Sequence, residues 1–251
     1  MTDEETVDEI LDGSLKIRQS RLGYRFNLDS LILAHFVELR IRSVNLDLGC
    51  GNGIIALVLA GRYAQSRWHG LEVQQGLAKL ALENAAQNGL ERRVMIDHGD
   101  ARDLKKIYAP HTFDNVVFNP PYRKLDSGRV NPMPEKAIAR HEISGSLAHF
   151  LAAARYALKP KGRVFTIYPA TRLVELITLF RKNKIEPKRM KLVFSDAVSD
   201  AEFALVEGRS ESREELKMEP PLFIYEDNKQ YTRAMKRIFT DLASSPTACA
   251  G

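Results

Sequence analysis

Four polar side chains stand where apolar runs stop: Asp47, Glu72, Asp100 and Asn119. Asp47 lies in the run Val44–Leu48 and opens the spacing D-x-G-x-G-x-G through Gly49, Gly51 and Gly53. Glycines at the end of a strand let backbone amides approach a ligand closely. The spacing differs from the G-x-G-x-x-G of dinucleotide binders, and an acidic residue at the turn suits a cationic ligand better than a pyrophosphate. An ordinary Gly-rich strand-to-helix turn is the competing reading. Glu72 follows the turn by about the interval at which an acid accepts hydrogen bonds from ribose hydroxyls; a solvated loop acid is its alternative. Asp100, in Gly99-Asp100-Ala101, reads either as an acceptor for an adenine edge or as a helix N-cap.

Asn119-Pro120-Pro121-Tyr122 is a second constellation. Two prolines restrict φ and remove two backbone donors, so carbonyls there are left to accept from another group. Asn119 adds an amide oxygen and Tyr122 an aromatic face. Together they suit a planar group bearing an NH2: acceptors for its hydrogens and a ring to stack on it. A plain Pro-Pro turn is the alternative. His141 and Cys50 have no partner at a telling position and read as a loop residue and a small packing residue.

These residues need a frame that puts strand ends side by side. Val44–Leu48, Arg67–Val73, Val94–His98, Phe113–Phe118 and Gly162–Tyr168 read as strands. Between them Ile54–Ala60, the amphipathic Gln75–Asn88 (ended by Gly89), and Ser146–Leu158 read as helices. Alternation of this kind predicts a parallel sheet with right-handed crossovers, whose ligands bind outside the carboxyl ends of the strands. Upstream, Asp3–Asp12 reads as acidic and mobile, Leu15–Ile17 as a short strand, Gln19–Phe26 as a loop or hairpin, and Asn27–Leu39 as a helix. Downstream, Ala170–Asn183 reads as a helix, Lys188–Phe194 and Ala201–Glu207 as antiparallel strands, and Gly208–Pro221 as a mobile polar loop. Leu222–Tyr225 is a short apolar run and Tyr231–Leu242 a basic helix. Arg123–Glu142 reads as a long loop of the kind that binds or covers sites.

At 251 residues the chain holds one large domain with small additions, divided as 1–40 (N-terminal extension and lead-in helix), 41–208 (core) and 209–251 (C-terminal extension). A hydrophobic share of 44% and a charged share of 27% are ordinary for a soluble protein. No run is long and apolar enough to span a bilayer. The acidic N-terminus resembles no secretory leader. Two cysteines without His/Cys clusters exclude a disulfide framework, offer no metal ligands and point to the cytoplasm. The net charge of +5 permits a polyanionic partner. Basic residues concentrate at Arg123, Lys124 and Arg129, at Arg181–Lys191, and at Lys229, Arg233, Lys236 and Arg237, a pattern suited to phosphates.

D-x-G-x-G-x-G with a downstream acid and N-P-P-Y resembles the class I S-adenosylmethionine-dependent methyltransferases that act on an amino nitrogen. Gly23-Tyr24-Arg25-Phe26 with Asp29, Ala139-Arg140-His141-Glu142, and Pro220-Pro221-Leu222 with Tyr231-Thr232 narrow the likeness to the bacterial tRNA1(Val) adenine-N6 methyltransferases. The resemblance implies a Rossmann-like α/β fold: a seven-stranded, mostly parallel sheet with one antiparallel strand and helices on both faces. It implies S-adenosylmethionine as methyl donor and S-adenosylhomocysteine as product. Asp47, Gly49, Gly51 and Gly53 would form the turn at the methionine side. Glu72 would take the ribose hydroxyls, Asp100 and Ala101 would frame the adenine, and Phe26 and Asp29 would close the site. Asn119 and Pro120 would hold the target amine and Tyr122 would stack on its base. The implied substrate is adenine N6 in RNA, with tRNA the first choice. The same motif also serves protein glutamine N5-methyltransferases, which usually carry a sizeable N-terminal helical domain, and rRNA guanine-N2 methyltransferases, where Phe at the last motif position is more expected.

Overall fold

The computed structural model describes residues 5–20, 27–120 and 147–244. It opens with an antiparallel hairpin, β1 (Glu5–Ile10) and β2 (Leu15–Ser20). The charge of the N-terminal segment reads as mobility, yet from Glu5 onward it is a strand. Its carboxylates find partners on β2: Arg18 reaches Glu5 at 3.3 Å, Lys16 reaches Glu9 at 3.1 Å, and Gln19 bonds Asp8. The apolar side of β2, Leu15 and Ile17, is buried.

The elements that follow alternate: α1 (Leu28–Phe36), β3 (Val44–Leu48), α2 (Ile54–Arg62), β4 (Arg67–Glu72), α3 (Gln75–Gln87) and β5 (Val94–His98). A 3-10 turn, Ala101–Lys106, precedes β6 (Phe113–Phe118). Then come α4 (Leu147–Ala157), β7 (Leu158–Pro169), α5 (Leu173–Lys182), β8 (Ile185–Phe194) and β9 (Ala201–Ser210). Two short strands, β10 (Lys217–Met218) and β11 (Leu222–Phe223), and α6 (Arg233–Ala243) complete the described chain.

The sheet runs β10–β8–β9–β7–β6–β3–β4–β5, with β11 also on β8. Strands β3 to β7 pair in parallel, and β9 is antiparallel to both β7 and β8. The Rossmann-like class is therefore as the motifs imply, with the seven long strands extended to a 9-stranded sheet. Gly208–Pro221, read as a mobile loop, instead holds the end of β9 and all of β10. Strand β8 begins three residues before the expected Lys188, because the register shift between Pro187 and Arg189 absorbs the proline's missing donor.

Burial on both faces explains the near-continuous apolar runs of the central strands. One core joins α1, α2, α6 and Ala85 of α3 to Trp68, Phe165 and Ile167; the other joins α4 and α5 to Leu46, Leu48, Phe118 and Val164. Alternation along β3 thus turns Leu46 and Leu48 to the second core and Asp47 toward α2. Among the described residues no helix is long and apolar enough to cross a membrane.

Candidate functional site

From β3 the chain steps outward to β4 and β5 on one side, while β6 and β7 lie on the other. The reversal falls between β3 and β6, and parallel sheets bind ligands outside the carboxyl ends at such a point. Asp47 is the penultimate residue of β3, and Asn119 follows the last residue of β6. The topology therefore brings to one rim residues that are distant in sequence.

The glycine turn is built from backbone that only glycine adopts easily: φ is +76° at Gly49, +57° at Gly51 and +86° at Gly53. The amides of Gly49 and Cys50 both donate to the Leu71 carbonyl, at 2.8 and 3.1 Å. Glu72, one residue on, completes the latch. Its Oε2 accepts from the Gly51 amide at 3.0 Å and its Oε1 from the Gln74 amide at 2.9 Å. Glu72 is thus a buried carboxylate rather than a solvated loop acid. Burial pushes its pKa up, against the pull of these amides.

Asp47 is wholly buried, and its Oδ2 accepts from the Ala56 amide in α2 at 3.2 Å. Burial and the Glu72 charge push its pKa up to about 7, against the opposing Ala56 hydrogen bond. Its Oδ1 has no hydrogen-bond partner among the described residues, nor do Nδ2 and Oδ1 of the buried Asn52. A buried polar atom without a partner costs about 1–3 kcal/mol. A carboxylate oxygen and a whole amide left unsatisfied at a glycine turn are what a ligand carrying donors and acceptors would repair.

Asn119 meets α1: its Nδ2 donates to Ser30 Oγ at 3.3 Å. Asp29, buried in the first turn of α1, accepts from the Ser30 amide at 2.8 Å. Pro120 follows as a buried residue. Asp100 caps the 3-10 turn: Oδ1 accepts from the Arg102 amide at 2.8 Å, and Oδ2 from the Arg102 guanidinium. The N-cap reading of Asp100 is the one seen here. Ala101 opens that turn. Phe26, Tyr122, His141 and the Arg123–Glu142 loop with Arg123, Lys124 and Arg129 lie outside the described residues.

Three residues not named by the motifs also meet the turn or Asn119. Asn52 is one of the intervening positions of the glycine motif. Ser30 lies on α1 against Asn119. Asn84 of α3 is wholly buried; its Oδ1 accepts from the Arg18 amide at 2.7 Å, and its Nδ2 donates to the carbonyls of Arg18 and Asn52, both at 3.0 Å. A polar residue on the apolar stripe of Leu77, Ala81 and Ala85 was the available signal for Asn84. The basic stretch at 181–191, read as a phosphate surface, is largely neutralised. Arg181 pairs with Glu186 and Glu214, Lys188 with Glu215, Arg189 with Glu38, Glu207 and Glu219, and Lys191 with Glu219. Among the described residues no group of three or more His, Cys, Asp or Glu is arranged to hold a metal.

The family model of the methyltransferase small domain matches residues 25–182. A tRNA1(Val) (adenine(37)-N6)-methyltransferase of Porphyromonas gingivalis is 38% identical over 133 residues, which cover 52% of this chain and 51% of that protein. The match thus spans about half the length of that relative. A protein of the same name from Tolumonas auensis is 31% identical over 184 residues, covering 70% of this chain and 75% of the relative. Among solved structures, a predicted O-methyltransferase of Agrobacterium tumefaciens aligns with a TM-score of 0.71 at 19% identity, covering 88% of this chain and 100% of its own. That likeness speaks for the fold. With the family model covering the glycine turn and all four strand-end positions, Asn119 among them, the chain belongs to the methyltransferase small domain family.

Proposed function

We propose that this chain transfers a methyl group from S-adenosylmethionine to the N6 amine of an adenine in RNA, most specifically in tRNA. The observation that carries the reading is the placement of Asn119-Pro120 beside the Asp47–Glu72 turn at the switch point of the sheet. Asp47 Oδ1 and both polar atoms of Asn52, buried and without partners among the described residues, fit the ammonium and carboxylate of a methionine moiety. Gly49, Gly51 and Gly53 let the backbone come close to it. Glu72 has the remaining lone pairs to accept from ribose hydroxyls. Asp100 and Ala101 would frame the adenine ring, with Phe26 and Asp29 closing the near side.

When bound, S-adenosylmethionine supplies a methyl carbon on a sulfonium and is left as S-adenosylhomocysteine. The chain's own contribution is to position and polarise the amine. An adenine amine is a poor nucleophile, because its lone pair is delocalised into the ring. Asn119 Oδ1 and the Pro120 carbonyl, accepting from the two amine hydrogens, favour the pyramidal nitrogen and stabilise the positive charge that develops on it. Ser30 holds the opposite end of the Asn119 amide. Holding the nitrogen in line with the methyl carbon supplies much of the rate. The methylated nitrogen then loses a proton to water, so no dedicated base is needed. Tyr122 would stack on the target base, which a single-stranded loop presents at low cost.

Incubation with tritiated-methyl S-adenosylmethionine and, separately, bulk tRNA, rRNA and protein tests this reading. Label in tRNA, recovered as N6-methyladenosine after digestion, is the expected result. Label in protein glutamine or in guanine would overturn it.

A further inference from the structure

The two described basic stretches end differently in the folded chain. The one at 181–191 is drawn largely into ion pairs, as above. On α6, Arg233, Lys236 and Arg237 lie on the solvent face, opposite the buried Met235, Ile238 and Leu242. Positions i, i+3 and i+4 place these cations on one face, about 5–6 Å apart at their Cβ atoms. Arg237 has an acidic partner, Asp241 at 3.7 Å; Arg233 and Lys236 have none among the described residues. Beside them Tyr225 and Tyr231 stack with ring centroids 5.3 Å apart and planes 19° from parallel. Phe239 of α6 meets Tyr231 edge-on at 5.1 Å, and Tyr231 remains 37% exposed.

Topology sets this patch on the rim of the candidate site. β11 pairs in parallel with Val193 and Phe194, the last residues of β8. β8 runs the same way as β6 and β7, since both β7 and β8 oppose β9. The chain leaving β11 through Tyr225 therefore emerges at the carboxyl edge, as the chain leaving β6 does at Asn119. Four inter-strand steps separate β6 from β11, about 19 Å at ~4.8 Å each. α1 bridges the two places: Ser30 meets Asn119, and His35 meets Asp241 of α6 at 3.1 Å.

We propose that Tyr231 and the outer face of α6 form a second docking surface for the RNA substrate, with phosphates on Arg233 and Lys236 and a base on the Tyr231 ring. The inference rests on the RNA reading above. A strand of phosphates and planar bases is the partner that uses both features at once.

The test uses the full chain and bulk tRNA. The double variant Arg233→Gln/Lys236→Gln should weaken tRNA binding about tenfold at 0.1 M salt and lower the slope of log K against log salt by about 1.5, as expected for two phosphate contacts. Tyr231→Ala should weaken binding at least fivefold, within the range for one stacked base, and Tyr231→Phe should restore it. Affinity for S-adenosylmethionine, read by calorimetry, should stay within twofold in all three, which also certifies the fold. If wild type binds and methylates tRNA and the Gln/Gln variant matches it in affinity and salt slope, the docking surface is overturned and the RNA reading stands. If wild type labels protein and not RNA, both are overturned.

Discussion

Asp47 meets two opposed demands. With its pKa pushed up to about 7 by burial and by Glu72, from an ordinary 3.8, the folded chain keeps a proton that the unfolded chain has lost across that interval. Stability therefore falls as pH rises from about 4 to 7 and is level above. Asp47→Asn removes the ionisation, so it should raise the unfolding temperature of the ligand-free chain at pH 8 by a few degrees, on the order expected for 1 kcal/mol or more. The same variant should bind S-adenosylmethionine at least tenfold more weakly, on the proposed pairing of the ionised acid with the ligand's cation. Wild-type affinity should rise from pH 6 to pH 8, since a cation favours the deprotonated acid. Calorimetry at pH 6, 7 and 8 checks this; the same pH slope in Asp47→Asn would remove Asp47 from the ligand's contacts. Asn119 has a simpler test. Asn119→Ala should lower kcat about 10²–10³-fold, the usual loss for one polar contact made to developing charge, with affinity for S-adenosylmethionine within twofold.

At the scale of elements, the glycine turn is held from both sides. Glu72 latches it from β4, and Asn84 reaches its Asn52 carbonyl from α3 while bonding both backbone groups of Arg18 in β2. Asn88, one helical turn on, does the same for Lys16 at an exposed position. Two side chains thus stand in for a neighbouring strand. Asn84→Ala should cost about 1–3 kcal/mol through the buried groups it orphans, while Asn88→Ala should be nearly neutral. Hydrogen exchange at the Arg18 amide should accelerate in Asn84→Ala and not in Asn88→Ala; equal protection in both would show that the hairpin docks by its apolar side alone. This tie explains what the sequence conceals. Helices α2 and α3 and the central strands are legible because their apolar periods face a core. β1 is not, because acidic residues read as solvated until their partners on β2 are known. The Asp47, Glu72 and Asn119 positions are legible from strand ends. Ser30 and Asn84 are not, because their roles depend on which helix the fold lays against the turn.

Across the whole molecule, Arg189 fastens the C-terminal strands to the helix that carries Ser30. Its Nε donates to Glu207 at 2.8 Å, its Nη1 to Glu38 at 2.8 Å and Glu219 at 3.2 Å, and its Nη2 to the Phe36 carbonyl at 2.7 Å. The guanidinium also lies 4.1 Å from the Phe36 ring centroid. A planar fork serving three carboxylates and a carbonyl is a geometry lysine cannot copy. Arg189→Met keeps the apolar stem and strips the donors, leaving Glu207 and Glu219, 13% and 15% exposed, short of a partner. It should cost about 3 kcal/mol in urea unfolding, the lower end for breaking a buried pair, and Arg189→Lys about half of that. Burial pushes the Glu219 pKa up, but Lys191 and Arg189 outweigh it and hold the carboxyl below its ordinary range. That contribution is present above the unfolded value and is lost as pH falls through the depressed one. The stability gap between wild type and Arg189→Met should therefore hold from pH 7 down to about pH 4.5 and narrow below it. A gap of constant size would place the cost in the Phe36 contacts instead. Because α1 carries Ser30 at one end and Arg189's carbonyl partner at the other, the variant should also lower kcat more than it weakens binding of S-adenosylmethionine.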